Sequence, residues 1–164
     1  MQQTITISVI TITYNAATVL QRTLDSVAHQ TYQHIEHLII DGASKDDTLA
    51  IAHRYAEGKN YPVVIQSEPD KGIYDAMNKG MAKATGNYLV FLNAGDVFHA
   101  DDTLQTVCQS IDLQTAGNTS APLPAVVYGD TAIVDEQGHF LRLRRLRPPH
   151  QLSWRSFRWG MLVC

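Results

Sequence analysis

Between residues 5 and 92 the spacing of apolar side chains switches repeatedly between two and three-to-four, and that switching constrains the fold more than any other feature. Residues 5–14 alternate Thr or Ser with Ile or Val, the pattern of a half-polar strand rich in β-branched side chains. Ala17, Leu20, Leu24, Val27 and Ala28 then recur at helical spacing, which predicts a helix running to about Gln30 with Asn15 as its N-cap. Residues 35–41 read as a second strand closing on an acid. A turn over residues 41–44 leads to Asp46 and Asp47, which suit a helix N-terminus, and Leu49, Ala52, Tyr55 and Ala56 form that helix's inner face. Residues 61–66 read as a third strand.

After a loop over residues 67–72, Ile73, Met77, Gly80, Met81 and Ala84 share one helical stripe, and Gly86 is expected to end that helix in the left-handed conformation. Residues 88–92 form a continuous apolar run of the kind found in a strand buried on both faces. Strands alternating with helices at this rhythm build βαβ units, so the expected class is α/β, a mostly parallel central sheet flanked by helices. Further on, the pattern predicts a helix over 103–111, a loop over 115–124 and a short strand over 126–128. Residues 132–134 and 139–143 read as a hairpin around Asp135-Glu136-Gln137-Gly138.

Composition enters as a filter on what this fold can do. With 45% apolar residues in a chain of 164, a packed core is expected, disorder is not, and one domain over 1–164 is the natural size. No apolar run reaches the roughly 18 residues a membrane span requires, and Met-Gln-Gln-Thr is not a signal-peptide start. A cytoplasmic location is therefore expected. Cys108 and Cys164 have neither metal nor redox spacing and read as plain buried thiols. The net charge of −3 conceals an asymmetry: residues 1–136 carry 16 acids and 7 bases, residues 137–164 six Arg and no acid. The chain also closes on the apolar Gly-Met-Leu-Val-Cys, which suggests a natural end further on.

In an open parallel sheet, ligands bind beyond the carboxyl ends of the strands. The polar residues there are Thr13, Tyr14 and Asn15 after the first strand, Asp41 and Ser44 after the second, the stretch from Glu68 through Asp70 to Lys71 after the third, and Asn93 and Asp96 after the fourth. Carboxylates closing buried strands are costly unless they meet a partner, a cation or water, so this gathering marks a site. A dinucleotide-binding turn is excluded, since Thr-Tyr-Asn-Ala-Ala at 13–17 contains no glycine; a phosphate-binding P-loop and a His-Glu-x-x-His zinc motif are absent as well. His29, His34 and His37 read as surface residues.

Four ordered blocks carry a resemblance: Thr11-Ile-Thr-Tyr-Asn15, Leu38-Ile-Ile-Asp-Gly-Ala-Ser44, Asp70-Lys-Gly-Ile-Tyr-Asp-Ala-Met-Asn-Lys-Gly80, and Ala84-Thr-Gly-Asn-Tyr-Leu-Val-Phe-Leu-Asn-Ala-Gly-Asp96. Together, over about residues 5–105, they resemble the nucleotide-binding half of family 2 glycosyltransferases, whose fold is the Rossmann-like three-layer GT-A type. Residues 106–164 would then begin an acceptor-side half. The resemblance implies transfer of a sugar, with inversion, from a nucleotide-diphosphate donor of UDP, GDP or dTDP type to an acceptor hydroxyl on a glycan or lipid-linked acceptor, as in cell-surface polysaccharide or glycolipid synthesis.

It also implies roles. Asp41 would accept a base N–H, and Asn93 would bond a ribose hydroxyl or a metal-bound water. Asp96 would hold a divalent cation, Mg²⁺ or Mn²⁺, against the diphosphate. The family's usual Asp-x-Asp is reduced here to Asn93-Ala94-Gly95-Asp96, one carboxylate. Lys71 or Lys79 would meet a phosphate, with Asp70 and Asn78 completing the donor site; Asp75 and Lys79, four apart, also fit an exposed ion pair. The general base that inversion requires is either Asp130 or, by preference, a carboxylate beyond Cys164.

The stretch 142–159 interleaves six Arg with Leu, Phe and Trp. It suits anionic headgroups at the inner face of a membrane, whereas the acidic remainder speaks against nucleic acid. Two other classes stay open at this point: a sugar-nucleotide-binding module without catalysis, and an α/β domain that binds lipid through its tail.

Overall fold

A computed structural model describes residues 4–115, 122–127, 129–135 and 137–144. The chain falls into two compact units, Met1–Leu113 and Gln114–Cys164. In the first, β1 (Ile7–Thr13), β2 (Ile35–Asp41), β3 (Val63–Ser67) and β4 (Tyr88–Phe91) alternate with α1 (Ala17–Ala28), α2 (Thr48–Ala56) and α3 (Ile73–Lys83), and α4 (Thr103–Thr115) follows. The four strands form one all-parallel sheet in the order β3-β2-β1-β4, the expected α/β arrangement.

Side chains alternate across the sheet, and each face has its own helices. Ile10, Ile12, Leu38 and Ile40 pack with Ala76 and Met77 of α3, and with Ala84 just past its end, on one face. Ile39 packs with Leu20 and Leu24 of α1 and with Ala52 and Tyr55 of α2 on the other, which gives three layers. β1 and β2 are buried along their whole length because both neighbours and both faces are covered. α3 reaches β1 closely because Gly80 has no side chain: a Cβ there would lie 2.5 Å from Ile10 Cγ2.

Several local expectations are corrected by longer-range contacts. Asn15 does not cap α1. Ala16 stands at that position, and the amides there are met by the start of α2 and the turn before it: Ala16 N–H donates to Thr48 Oγ1 at 2.8 Å and Ala17 N–H to Asp46 Oδ2 at 3.1 Å. Gly86 is not left-handed; α3 ends at Lys83 with Ala84 extended. Gly86 serves close approach instead, since a Cβ would come within 2.6 Å of Ser8 Oγ and 2.7 Å of the Thr6 carbonyl oxygen. Its N–H and that of Thr85 donate to Glu36, which also accepts from the Ser8 and Thr85 hydroxyls. Burial works to raise the Glu36 pKa, but these hydrogen bonds outweigh it and hold the carboxyl below its ordinary value.

His37 is buried rather than on the surface. Its ring bonds Thr11 Oγ1 at 2.9 Å and the Tyr55 hydroxyl at 2.8 Å, and Tyr55 continues to Tyr61 at 2.7 Å. Complete burial pushes its pKa down to about 3, so the imidazole is neutral. Cys108 is a buried free thiol, as expected, and burial raises its pKa. Cys164 lies outside the described residues.

In the second unit, β5 (Ala132–Val134) and β6 (Phe140–Leu143) form the expected antiparallel hairpin. The expected strand over 126–128 is not formed: residues 126 and 127 are irregular, and 128 lies outside the described residues. No helix among the described residues is long and apolar enough to cross a membrane.

Candidate active site at the carboxyl edge of the sheet

The chain runs outward from β1 through β2 to β3, then crosses to the other side of β1 to lay down β4. The carboxyl ends of β1 and β4 therefore flank a topological switch point, the place where open α/β sheets bind ligands. Thr13 closes β1, and Ala94 N–H donates to the Ile12 carbonyl at 3.0 Å, which sets Asn93 beside it. Thr13 Oγ1 and Asn93 Oδ1 are both buried, and neither has a hydrogen-bond partner among the described residues. An oxygen in that condition costs about 1–3 kcal/mol, and two at one switch point are a site signal.

Asp41 stands in register with Thr13 on one side and Ser67 on the other. It is only 1% exposed, and its carboxylate accepts from the Ser44 hydroxyl, from Ser44 N–H at 2.9 Å and from the Ser67 hydroxyl at 2.6 Å. Ser44 Oγ in turn accepts Asn15 N–H at 2.7 Å, and Asn15 Oδ1 accepts Lys45 N–H at 2.9 Å. These bonds join the loops after β1 and β2, and two non-glycine residues in them, Asn15 at φ 46° and Ala43 at φ 62°, take the left-handed conformation. Strain of that kind collects at functional sites.

The loop after β3 joins the same cluster. Asp70 Oδ1 accepts Gly72 N–H at 2.8 Å. Its Oδ2 lies over Gly42, 2.6 Å from where a Cβ would stand, and Tyr14 Cδ2 lies 3.2 Å from that same point. Tyr14, Gly42 and Asp70 thus meet, and the Tyr14 ring is 62% exposed above them. Asp96 is exposed past the end of β4, its N–H donating to the Asn93 carbonyl at 2.9 Å.

The structure therefore gathers Tyr14, Asn15, Asp41, Ser44 and Asp70, and sets Thr13 next to Asn93 with Asp96 in the turn that follows. Lys71 is exposed, with its backbone N–H on Asp75 Oδ2 at 3.0 Å. Asn78 is exposed on α3, and no hydrogen bond ties it to the other candidates among the described residues. Asp130 is exposed in the second unit and follows irregular chain rather than a strand. Residues 145–159 of the basic stretch lie outside the described residues. Sequence reasoning missed two residues at the edge: Arg22 of α1, whose Nη2 would be 3.5 Å from a Cβ on Gly95, and Ser67, the third donor to Asp41. Ser67 could have been found, since a strand-end Ser in register with a buried Asp is a ready donor; Arg22 carried no local signal.

No group of three or more His, Cys, Asp or Glu among the described residues could hold a metal by itself. Asp96, exposed in the turn after β4, offers one carboxylate, which fits a hard divalent cation that keeps water and substrate oxygens in its shell.

Comparison with known proteins bears on the family and the fold. A curated PGL/p-HBAD biosynthesis glycosyltransferase of Mycobacterium tuberculosis is 40% identical over 123 residues, covering 75% of this chain and 45% of its own. The Escherichia coli glycosyltransferase YibD, itself uncharacterized, is 35% identical over 71% of this chain and 34% of its own. This chain thus spans less than half the length of these relatives. Among solved structures, the mannosyltransferase PcManGT of Pyrobaculum calidifontis, in complex with GDP-Man and Mn²⁺, matches 63% of this chain and 31% of its own at 30% identity and a TM-score of 0.59. TarS of Staphylococcus aureus matches 80% of this chain and 25% of its own at 25% identity and a TM-score of 0.60. The family model "Glycosyl transferase family 2" matches residues 8–164, and the chain belongs to that family.

Proposed function

We propose that this chain carries the donor-binding part of an inverting glycosyltransferase, which moves a sugar from a nucleotide-diphosphate donor to the hydroxyl of a glycan or lipid-linked acceptor in cell-surface polysaccharide or glycolipid synthesis. The observation that carries the reading is the pair of unpartnered buried oxygens, Thr13 Oγ1 and Asn93 Oδ1, at the switch point. Both accept hydrogen bonds and are shielded from water, so they call for a ligand with hydroxyl donors, and a ribose is one. The mannosyltransferase complex with GDP-Man and the relative named for PGL/p-HBAD biosynthesis support the substrate class.

Each group has a task in this reading. The exposed Tyr14 ring offers a stacking face for the base. Among the described residues Asp41 Oδ1 accepts from the Ser44 hydroxyl alone, so a lone pair remains for a base N–H, while Ser44 and Ser67 fix the carboxylate in place. Uracil, thymine and guanine all present such an N–H. Lys71, on the exposed loop beside Asp70, supplies positive charge for the diphosphate, and Asn78 lines the donor from α3. Asp96 would hold a divalent cation, Mg²⁺ or Mn²⁺, which when bound neutralises charge developing on the leaving diphosphate, and Asn93 would bond a ribose hydroxyl or a metal-bound water. For the general base that inversion requires, Asp130, an exposed carboxylate of the second unit, stands only as the alternative to a carboxylate outside this sequence. The basic stretch 142–159 is assigned to anionic headgroups on its charge and aromatic content, consistent with a cytoplasmic protein working at the membrane surface.

Calorimetry with UDP-, GDP- and dTDP-sugars, with and without Mn²⁺, tests the proposal. Saturable binding of one donor, made metal-independent and weaker by Asp96→Ala, is the expected result. Binding of none would overturn it. Donor binding without transfer by the full-length protein would leave a binding module.

A further inference from the structure

We propose that Lys79, whose spacing from Asp75 reads as a surface ion pair, is a positioning residue that holds the loop after β3 so that Asp70 faces Tyr14 and Gly42. Its Nζ does make that pair, 3.4 Å from Asp75 Oδ2, but its shorter contacts leave the helix. It donates to the Pro69 carbonyl at 2.8 Å and meets Glu68 Oε1 at 3.0 Å. Asp75 Oδ2 also accepts Lys71 N–H at 3.0 Å. The Lys79–Asp75 pair of α3 therefore grips residues 68, 69 and 71, on both sides of Asp70.

The other end of the loop is fixed as well. Glu68 N–H donates to the Asp41 carbonyl oxygen at 3.0 Å, continuing the β2–β3 ladder past the strand ends. What lies between these anchors is Asp70, with Oδ1 on Gly72 N–H and Oδ2 over Gly42. Of the cations acting on Glu68, Lys79 makes the direct contact and the larger share, while Lys83 adds a smaller charge attraction. The Lys79 side chain is 22% exposed, against 46% for Glu68, so its position is more restrained than its partner's. Pro69 has no N–H and a fixed φ, so its carbonyl is the backbone handle just before Asp70, and Lys79 takes it.

The consequence for ligand binding rests on the donor-site reading above; the anchoring does not. The test therefore has two arms, run on the full-length protein. In the first, amide hydrogen exchange is compared between wild type, Lys79→Met and Lys79→Arg. Lys79→Met is expected to speed exchange at Glu68, Lys71 and Gly72 about tenfold while leaving the β1 and β2 amides unchanged, and Lys79→Arg to restore most of the protection. Unchanged exchange at those three amides overturns the proposal. So does a rise across the whole sheet, which would mean general destabilisation.

In the second arm, UDP and GDP are titrated into the same variants and into Asp70→Asn and the double variant. If Lys79 acts through Asp70, Lys79→Met weakens the nucleotide about fivefold and adds nothing to Asp70→Asn. Additive losses overturn the positioning role. Were wild type to bind neither nucleotide, the donor-site reading would fall, and the exchange arm would still decide the anchor.

Discussion

The carboxylate of Asp70 fills the space a side chain on Gly42 would need: Oδ2 lies 2.6 Å from the position of a Cβ there. Gly42 is not among the left-handed residues of its turn; Ala43 takes that role, at φ 62°. The glycine is required by the approach of another loop. Gly42→Ala is therefore expected to displace the Asp70 carboxylate and the Tyr14 ring, both side-chain ends that can move, at a stability cost of up to about 1 kcal/mol. Nucleotide affinity should fall in parallel. Denaturant unfolding and calorimetry on the same variant check it, and unchanged affinity would separate the cluster from the donor site.

Thr13 gives a prediction of opposite sign for stability. Its hydroxyl is buried without a partner among the described residues, so it adds nothing to the fold that a methyl would not. Thr13→Val should leave stability unchanged or raise it by up to about 1 kcal/mol, yet weaken donor binding about tenfold. A variant that loses stability and keeps its affinity would show that the hydroxyl serves the fold.

Asp41 supports fold and site together. Asp41→Ala strands the Ser44 and Ser67 hydroxyls and Ser44 N–H at a position 1% exposed. A loss of about 2–4 kcal/mol is expected in urea unfolding. Ser67→Ala removes one donor and leaves the carboxylate, so it should cost about 1 kcal/mol and retain nucleotide binding.

His37 sets a pH dependence. Its folded pKa is lowered to about 3 by complete burial, while an unfolded histidine titrates near 6.5. Between these values the unfolded chain binds the extra proton, so the stability that burial of the neutral ring contributes is complete above about 6.5. It falls as pH drops, with a slope approaching about 1.4 kcal/mol per pH unit. Glu36, Asp46 and Asp75, also held below their ordinary values, lose their stabilisation only in the more acidic carboxylate range. Unfolding measured from pH 7 to pH 5 isolates the histidine, and His37→Gln should flatten that interval. An equal slope in the variant would assign the effect elsewhere.

The periodicity alone determined the order of four strands and the helices between them, because a period of two or of three-to-four is a local property of the chain. The second strand, Ile35–Asp41, matches residue for residue, and the other core elements differ by one to four residues at their ends. The strand-end rule likewise gathered Thr13, Asp41, Asp70, Asn93 and Asp96 at one edge of the sheet. Tertiary structure decided how their atoms are used. α1 is capped by Asp46 and Thr48 across the loop, and not by Asn15, because a neighbouring turn offers better placed oxygens than the local side chain. His37 is buried because in a parallel strand covered on both faces every side chain goes inside, where Thr11 and Tyr55 bond its ring. Gly42, Gly80 and Gly86 are fixed by what approaches them from elsewhere, at distances only the packed chain defines. Local spacing sets which segments become strands and helices; which buried oxygens find a hydrogen-bond partner among the described residues, and which, like Thr13 Oγ1 and Asn93 Oδ1, do not, depends on residues brought together from as far as 80 positions apart in the chain.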